Sequence, residues 1–159
     1  MRWKWWKEAG MKNNRNHGRA YVYARVKGGD GTPFNDYTLA AQRKQLMECA
    51  KAMGLDVAEQ DAEIAYRGIT EEAKNRLLDA AASGKIGTLL IAGCGRLYRE
   101  SEKALDLLEE LDRYGVSVYS LQEGWINVPD KEGQPTILQL LQTIRSIERK
   151  AGDVNAIPG

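Results

Sequence analysis

A chain of 159 residues with 43% hydrophobic side chains suits one domain with a substantial core. No apolar run approaches the ~20 residues that span a membrane, the basic N-terminus lacks the apolar middle of a secretion signal, and two cysteines without metal-ligand spacing fit reduced thiols in a cytoplasmic protein. The net charge of +1 hides an asymmetry: residues 1–19 carry six Lys or Arg against one Glu, a local +5, and the rest carries −4, which excludes a domain-wide basic footprint for nucleic acid.

Residues 1–18 interleave tryptophan with basic residues (Arg2-Trp3-Lys4-Trp5-Trp6-Lys7), turn Asn-rich, and include the sole histidine, His17. Such a segment suits stacking on bases or a membrane interface. The plainer reading is a disordered extension, with Met11 as an alternative start. Residues 20–26 form an apolar stretch that reads as a buried strand, and Lys27-Gly28-Gly29-Asp30-Gly31 turns sharply out of it. Leu39, Leu46, Cys49, Ala50 and Met53 mark one face of a helix, with Thr38 as its expected N-cap and Gly54 as its end. A short strand is predicted at 55–58, a loop through Arg67-Gly68, then a helix over 71–82 closed by Ser83-Gly84. The strand 88–92 leads into Arg96, and a helix over 101–114 places Ala104, Leu105, Leu108 and Leu111 on one face. Gly115 stops it before the strand 116–120.

Residues 127–135 are polar and turn-rich, so they read as a linker. Beyond them Ile137, Leu140, Leu141, Ile144 and Ile147 recur at helical spacing. That stripe suits a dimer interface; packing on its own domain is the alternative. The expected fold class is α/β, three-layer, with a mostly parallel central sheet flanked by helices and a protruding C-terminal helix. The units are a tail over 1–18, a domain over 19–127, a linker over 128–136, a helix over 137–150 and a disordered tail over 151–159.

In such a sheet the carboxyl ends of neighbouring strands share a crevice where ligands bind. Arg25, Arg96 and Arg99 are expected to converge there, and guanidinium forks match phosphate oxygens, so a phosphodiester is the natural ligand class. The glycine-rich turn after Lys27 leaves open a cradle for a small phosphate ligand, although it matches neither nucleotide-binding fingerprint. An internal salt bridge is the alternative for Arg25. Cys94, beside Gly95-Arg96, leaves open a reactive thiol. No metal or cofactor is expected.

Three motifs in this order carry a resemblance: Tyr23-Ala24-Arg25, Thr38-Leu39-Ala40-Ala41-Gln42 and Arg96-Leu97-Tyr98-Arg99. Over residues 20–150 the chain resembles the catalytic domain of the serine recombinases, the resolvase and invertase family. The resemblance implies a resolvase-like fold, DNA strand exchange through a serine–phosphate link, and catalytic roles for Arg25, Gln42, Arg96 and Arg99. It also puts Lys27 at the position of the nucleophilic serine, Gly95 at that of an aspartate, and Glu71 at that of a further arginine, with Arg67 near enough to substitute. A lysine is a poor nucleophile near neutrality unless desolvated. Lys27 is therefore expected to bind phosphate alongside Arg25, Arg67, Arg96 and Arg99 in an impaired enzyme, a pseudoenzyme of mobile-element or phage context. An unrecognised nucleophile is the competing expectation. The resemblance further implies a helix packed between subunits over 137–150, and partnership with DNA and with a second copy or an intact recombinase, without membrane contact. Family members continue into a DNA-binding module. None is expected in the residues after 150, so DNA binding by this chain alone is expected to be weak.

Overall fold

The computed structural model describes residues 16–27, 33–98 and 100–156, and of residues 33–38 and 153–156 the backbone alone. The Trp-rich residues 1–15, the glycines after Lys27, and Arg99 lie outside the described residues.

Strand β1 (Arg19–Val26) is buried from Ala20 to Val26 because it lies inside the sheet with helices on both faces. Its neighbours are β2 (Asp56–Ile64) and β3 (Thr88–Ile91), followed outward by β4 (Ser117–Ser120) and β5 (Gly124–Trp125), in the order β2-β1-β3-β4-β5. All pairs are parallel except β4 with β5. The two-residue period of a strand divides the core. Ala20, Val22 and Ala24 meet Leu46 and Ala50 of α1 (Pro33–Ala52) on one face. Tyr21 and Tyr23 face the other layer, with Leu77 of α2 (Glu71–Ala82), Leu108 and Leu111 of α3 (Ser101–Arg113), and Leu138 of α4 (Ile137–Ala156). The three-layer α/β fold is the expected one.

Several boundaries differ, each for a physical reason. Helix α1 begins at Pro33, so Thr38 lies inside it rather than capping it. Proline suits a first helical position, where its missing N–H would have no helical partner. Strand β2 continues to Ile64, well past 58, through residues that resemble a loop. Three of its carboxylates are held from other elements: Glu59 by Lys85, Asp61 by Arg76 and the Tyr21 hydroxyl, and Glu63 by Thr70 and the Tyr23 hydroxyl at 2.6 Å. The domain also starts earlier than residue 19. His17 is buried, its carbonyl accepts from Thr88 Oγ1 at 2.8 Å, and a side chain at Gly87 would lie 2.5 Å from the backbone of Asn16 and His17.

The segment read as a linker is anchored at its start. The Asn127 amide donates to Asp112 Oδ1 (2.9 Å) and the Val116 carbonyl (2.8 Å), and its oxygen accepts from Val118 N (2.8 Å). Ile126 and Val128 beside it are buried, and only residues 130–135 form exposed turns. Helix α4 starts at Ile137 as expected but continues through 150 to Ala156. It runs antiparallel along α3, joined by Gln142–Glu109 (2.8 Å), Arg145–Glu109 (2.8 Å), Arg145–Asp106 (3.1 Å) and Arg149–Glu102 (3.3 Å). The apolar stripe therefore divides. Ile137 and Leu141 pack on the core, with Leu138 buried between them in sequence, whereas Leu140, Ile144 and Ile147 are 50%, 52% and 61% exposed.

Candidate functional site

At the carboxyl edge of the sheet, β1 loses one neighbour before the other. Its pairing with β3 ends at Val22↔Leu90, while its pairing with β2 continues to Val26↔Ile64. The N–H and C=O of Arg25 then need another partner, because buried backbone groups must be satisfied. Gln42 of α1 supplies it: Oε1 accepts from Arg25 N at 2.9 Å, and Nε2 donates to Arg25 O at 3.2 Å. The side-chain amide stands in for a strand.

The Arg25 side chain is turned into the protein, and the residue is 4% exposed. Nε donates to the Arg96 carbonyl, Nη2 to Gly95 O at 2.8 Å, and Nη1 to Ala65 O and, at 3.5 Å, Tyr66 O. None of these acceptors is a carboxylate, so the arrangement is a carbonyl cage and not the salt bridge weighed from the sequence. Burial holds the guanidinium below its ordinary pKa; the charge of Arg96 acts in the same direction, and those of Tyr23 and Glu63 oppose it.

Two loops meet over this cage, residues 65–70 after β2 and 92–98 after β3. Ile69 N donates to Leu97 O at 2.7 Å, and Gly68 bridges Tyr98. Gly68 has φ of +148°, and a Cβ there would lie 2.6 Å from Leu97 O, so both its conformation and the close approach require glycine. Lys27 is exposed, its Nζ 5.3 Å from the Tyr66 ring centroid. Arg67 is exposed beside Tyr66, and Arg96 is half-buried. Arg25, Lys27, Gln42, Arg67 and Arg96 are thus gathered at one edge; Arg99 lies outside the described residues. Glu71 is the exposed first residue of α2, and a Cβ at Gly95 would meet nothing within 4 Å.

This edge can attract an anion through Lys27, Arg67 and Arg96. Among the described residues, Cys94 and Ser120 are poorly placed to act as nucleophiles. Burial, with Glu123 nearby, pushes the Cys94 thiol up to about 12, against a reactive thiolate. Ser120 is fully buried and donates to Glu123. Among the described residues no group of three His, Cys, Asp or Glu side chains could hold a metal ion, and no helix is long and apolar enough to cross a membrane. Sequence reasoning missed Tyr66 and Glu63. The apolar alternation that marks a strand is absent around both, and the carbonyls that receive Arg25 carry no side-chain signature.

A family model described as resolvase, N-terminal domain, matches residues 20–152. Among solved structures, the chain is similar to the N-terminal catalytic domain of TP901-1 integrase, with TM-score 0.68 and 23% identity over 84% of this chain and 98% of that one. It is similar to a resolvase family site-specific recombinase from Streptococcus pneumoniae, with TM-score 0.64 and 20% identity over 86% and 91%. A third likeness, TM-score 0.53 with 22% identity over 86% and 84%, is to the C-terminal catalytic domain of ISC1926 TnpA, an IS607-like serine recombinase. At these identities the likenesses speak for the fold. No curated protein matches the chain.

Proposed function

The chain belongs to the resolvase N-terminal-domain family, and from that premise we propose that it acts in site-specific DNA recombination by binding the DNA phosphate backbone without cleaving it. The observation that carries this reading is the exposed Lys27 at the carboxyl end of β1, two residues after Arg25, where the resemblance puts a serine. Strand transfer through a covalent intermediate needs a hydroxyl that can lose its proton, attack phosphorus and later leave. A lysine ammonium supplies charge and three donors but no such hydroxyl. The retained cations then hold a phosphodiester that nothing at position 27 attacks.

The same reading gives α4 a partner. Leu140, Ile144 and Ile147 leave an apolar row on the solvent side of a helix whose other side is already fixed to α3. A second copy, or an intact recombinase of the family, is the partner that suits a row of this kind.

The test is a titration of short duplex DNA at two salt concentrations with the full chain, Lys27→Ala and Arg67→Ala. Binding should be weak and indifferent to sequence, and each substitution should lower the slope of log K against log salt by about 1. Affinities that ignore both substitutions would remove Lys27 and Arg67 from the interface.

A further inference from the structure

We propose that Arg25 is a positioning residue: its buried guanidinium holds together the two loops that carry Arg67 and Arg96 and leaves the phosphate to those side chains. The inference rests on the DNA-phosphate reading, but its structural half can be tested without DNA.

The donor inventory carries the argument. A guanidinium has five N–H donors in a fixed planar fork. In Arg25 all three nitrogens are directed at carbonyls, those of Ala65 and Tyr66 in one loop and Gly95 and Arg96 in the other. Four of the five donors are thereby engaged, so a bidentate grip on a phosphate would make the fork give up at least one of these carbonyls and loosen the link between the loops. Its backbone cannot swing to compensate, because Gln42 clamps Arg25 N and O on the side where β3 has departed.

The loops gain their shape from the same point. Arg25 joins them from below, while the Ile69–Leu97 hydrogen bond and the Gly68–Tyr98 bridge join them directly. Arg67 follows one of the carbonyl acceptors, Tyr66, and Arg96 is itself another. Fixing those carbonyls fixes the backbone from which both side chains start. Lys27 is tied to the same unit through the Tyr66 ring.

Two measurements decide this, one on the unaltered protein. In NMR of the Arg Nε–H groups, Arg25 should exchange slowly with solvent in the free protein. On saturation with a short duplex at low salt its signal should stay in place while those of Arg67 and Arg96 move. An Arg25 signal that moves as far as theirs overturns the positioning role. If DNA moves none of the three, the DNA reading fails, and slow or fast Arg25 exchange still supports or overturns the cage. The second measurement uses Arg25→Lys, which keeps the charge but cannot span both loops. Trypsin cleavage after Arg67 and after Arg96 should rise by about tenfold, as expected when a local opening loses roughly one charged hydrogen bond. The salt slope for DNA should fall by about 2, because both side chains lose their placement, against about 1 for Arg67→Ala. A lysine variant that keeps native cleavage rates and the native slope also overturns the proposal. Should that variant not fold, the exchange measurement on the native chain decides alone.

Discussion

Replacing Gln42 with leucine tests how the carboxyl end of β1 is held. Leucine is close in size and apolar, so the packing against β1 persists while both hydrogen bonds to Arg25 vanish. The backbone N–H and C=O of Arg25 would then be left without their partner in a residue that is 4% exposed. Each such buried, unbonded group costs about 1–3 kcal/mol, and relaxation or an admitted water recovers part of it, so a total loss of about 2–4 kcal/mol is expected. For a domain of 150–250 residues a loss of 1 kcal/mol lowers Tm by about 2–4 °C, so the midpoint should fall by roughly 4–16 °C. Urea denaturation of both proteins, followed by tryptophan fluorescence and circular dichroism, gives the difference directly. An unchanged denaturant slope with a lowered midpoint would assign the loss to the native state. A loss below about 0.5 kcal/mol would refute the substitute-strand role, because it falls within the range of an ordinary surface substitution.

Three further outcomes are expected. Burial pushes the Glu109 carboxyl up, but hydrogen bonds from Gln142 and Arg145 and the charges of Arg145 and Arg113 outweigh it, so its pKa lies below the usual value. Its stabilising contribution is present above the unfolded glutamate pKa of about 4.3 and lost as pH falls through the lower folded value; Arg145→Ala should weaken that acid-side dependence in denaturation measured from pH 6 to pH 3, and an identical profile would contradict the pairing. With its thiol pushed up to about 12 by burial and then by Glu123, Cys94 should react with a disulfide reagent at pH 8 at least about a hundredfold more slowly than free cysteine, and reaction at the free rate would show an open, reactive site. Since Leu141 packs on its own core and Ile144 is exposed, Ile144→Glu should abolish self-association in sedimentation without lowering Tm, whereas a monomeric native chain would remove the homodimer.

The layered fold was legible because its signals are local and repeated. The unbroken apolar run of β1, the helical spacing on α3, and the turn at Ser83-Gly84 each pointed to the element that is found. Elements held by tertiary partners were not legible. Glu59, Asp61 and Glu63 favour strand β2 because Lys85, Arg76, Thr70 and two tyrosines meet them from other elements. Likewise His17 is buried by the backbone near Gly87 and Thr88, some 70 residues away in the chain. At the site, the motifs brought Arg25, Gln42 and Arg96 to one edge, but charge alone suggested a shared ligand for the arginines. The direction of the Arg25 side chain depends on where four loop carbonyls point, and a backbone oxygen leaves no trace in residue identity.

Absence of covalent chemistry at position 27 is tested most directly by a protein–DNA adduct assay on a suicide substrate, at protein concentrations that saturate the DNA. The unmodified chain should form no adduct. Lys27→Ser alone should form none efficiently, because Gly95 and Glu71 still stand where the resemblance puts an aspartate and an arginine, and a serine is inert until its proton is removed and the phosphate is held in line. An adduct formed by the unmodified chain, mapped by mass spectrometry to any of its residues, would contradict the proposed function outright.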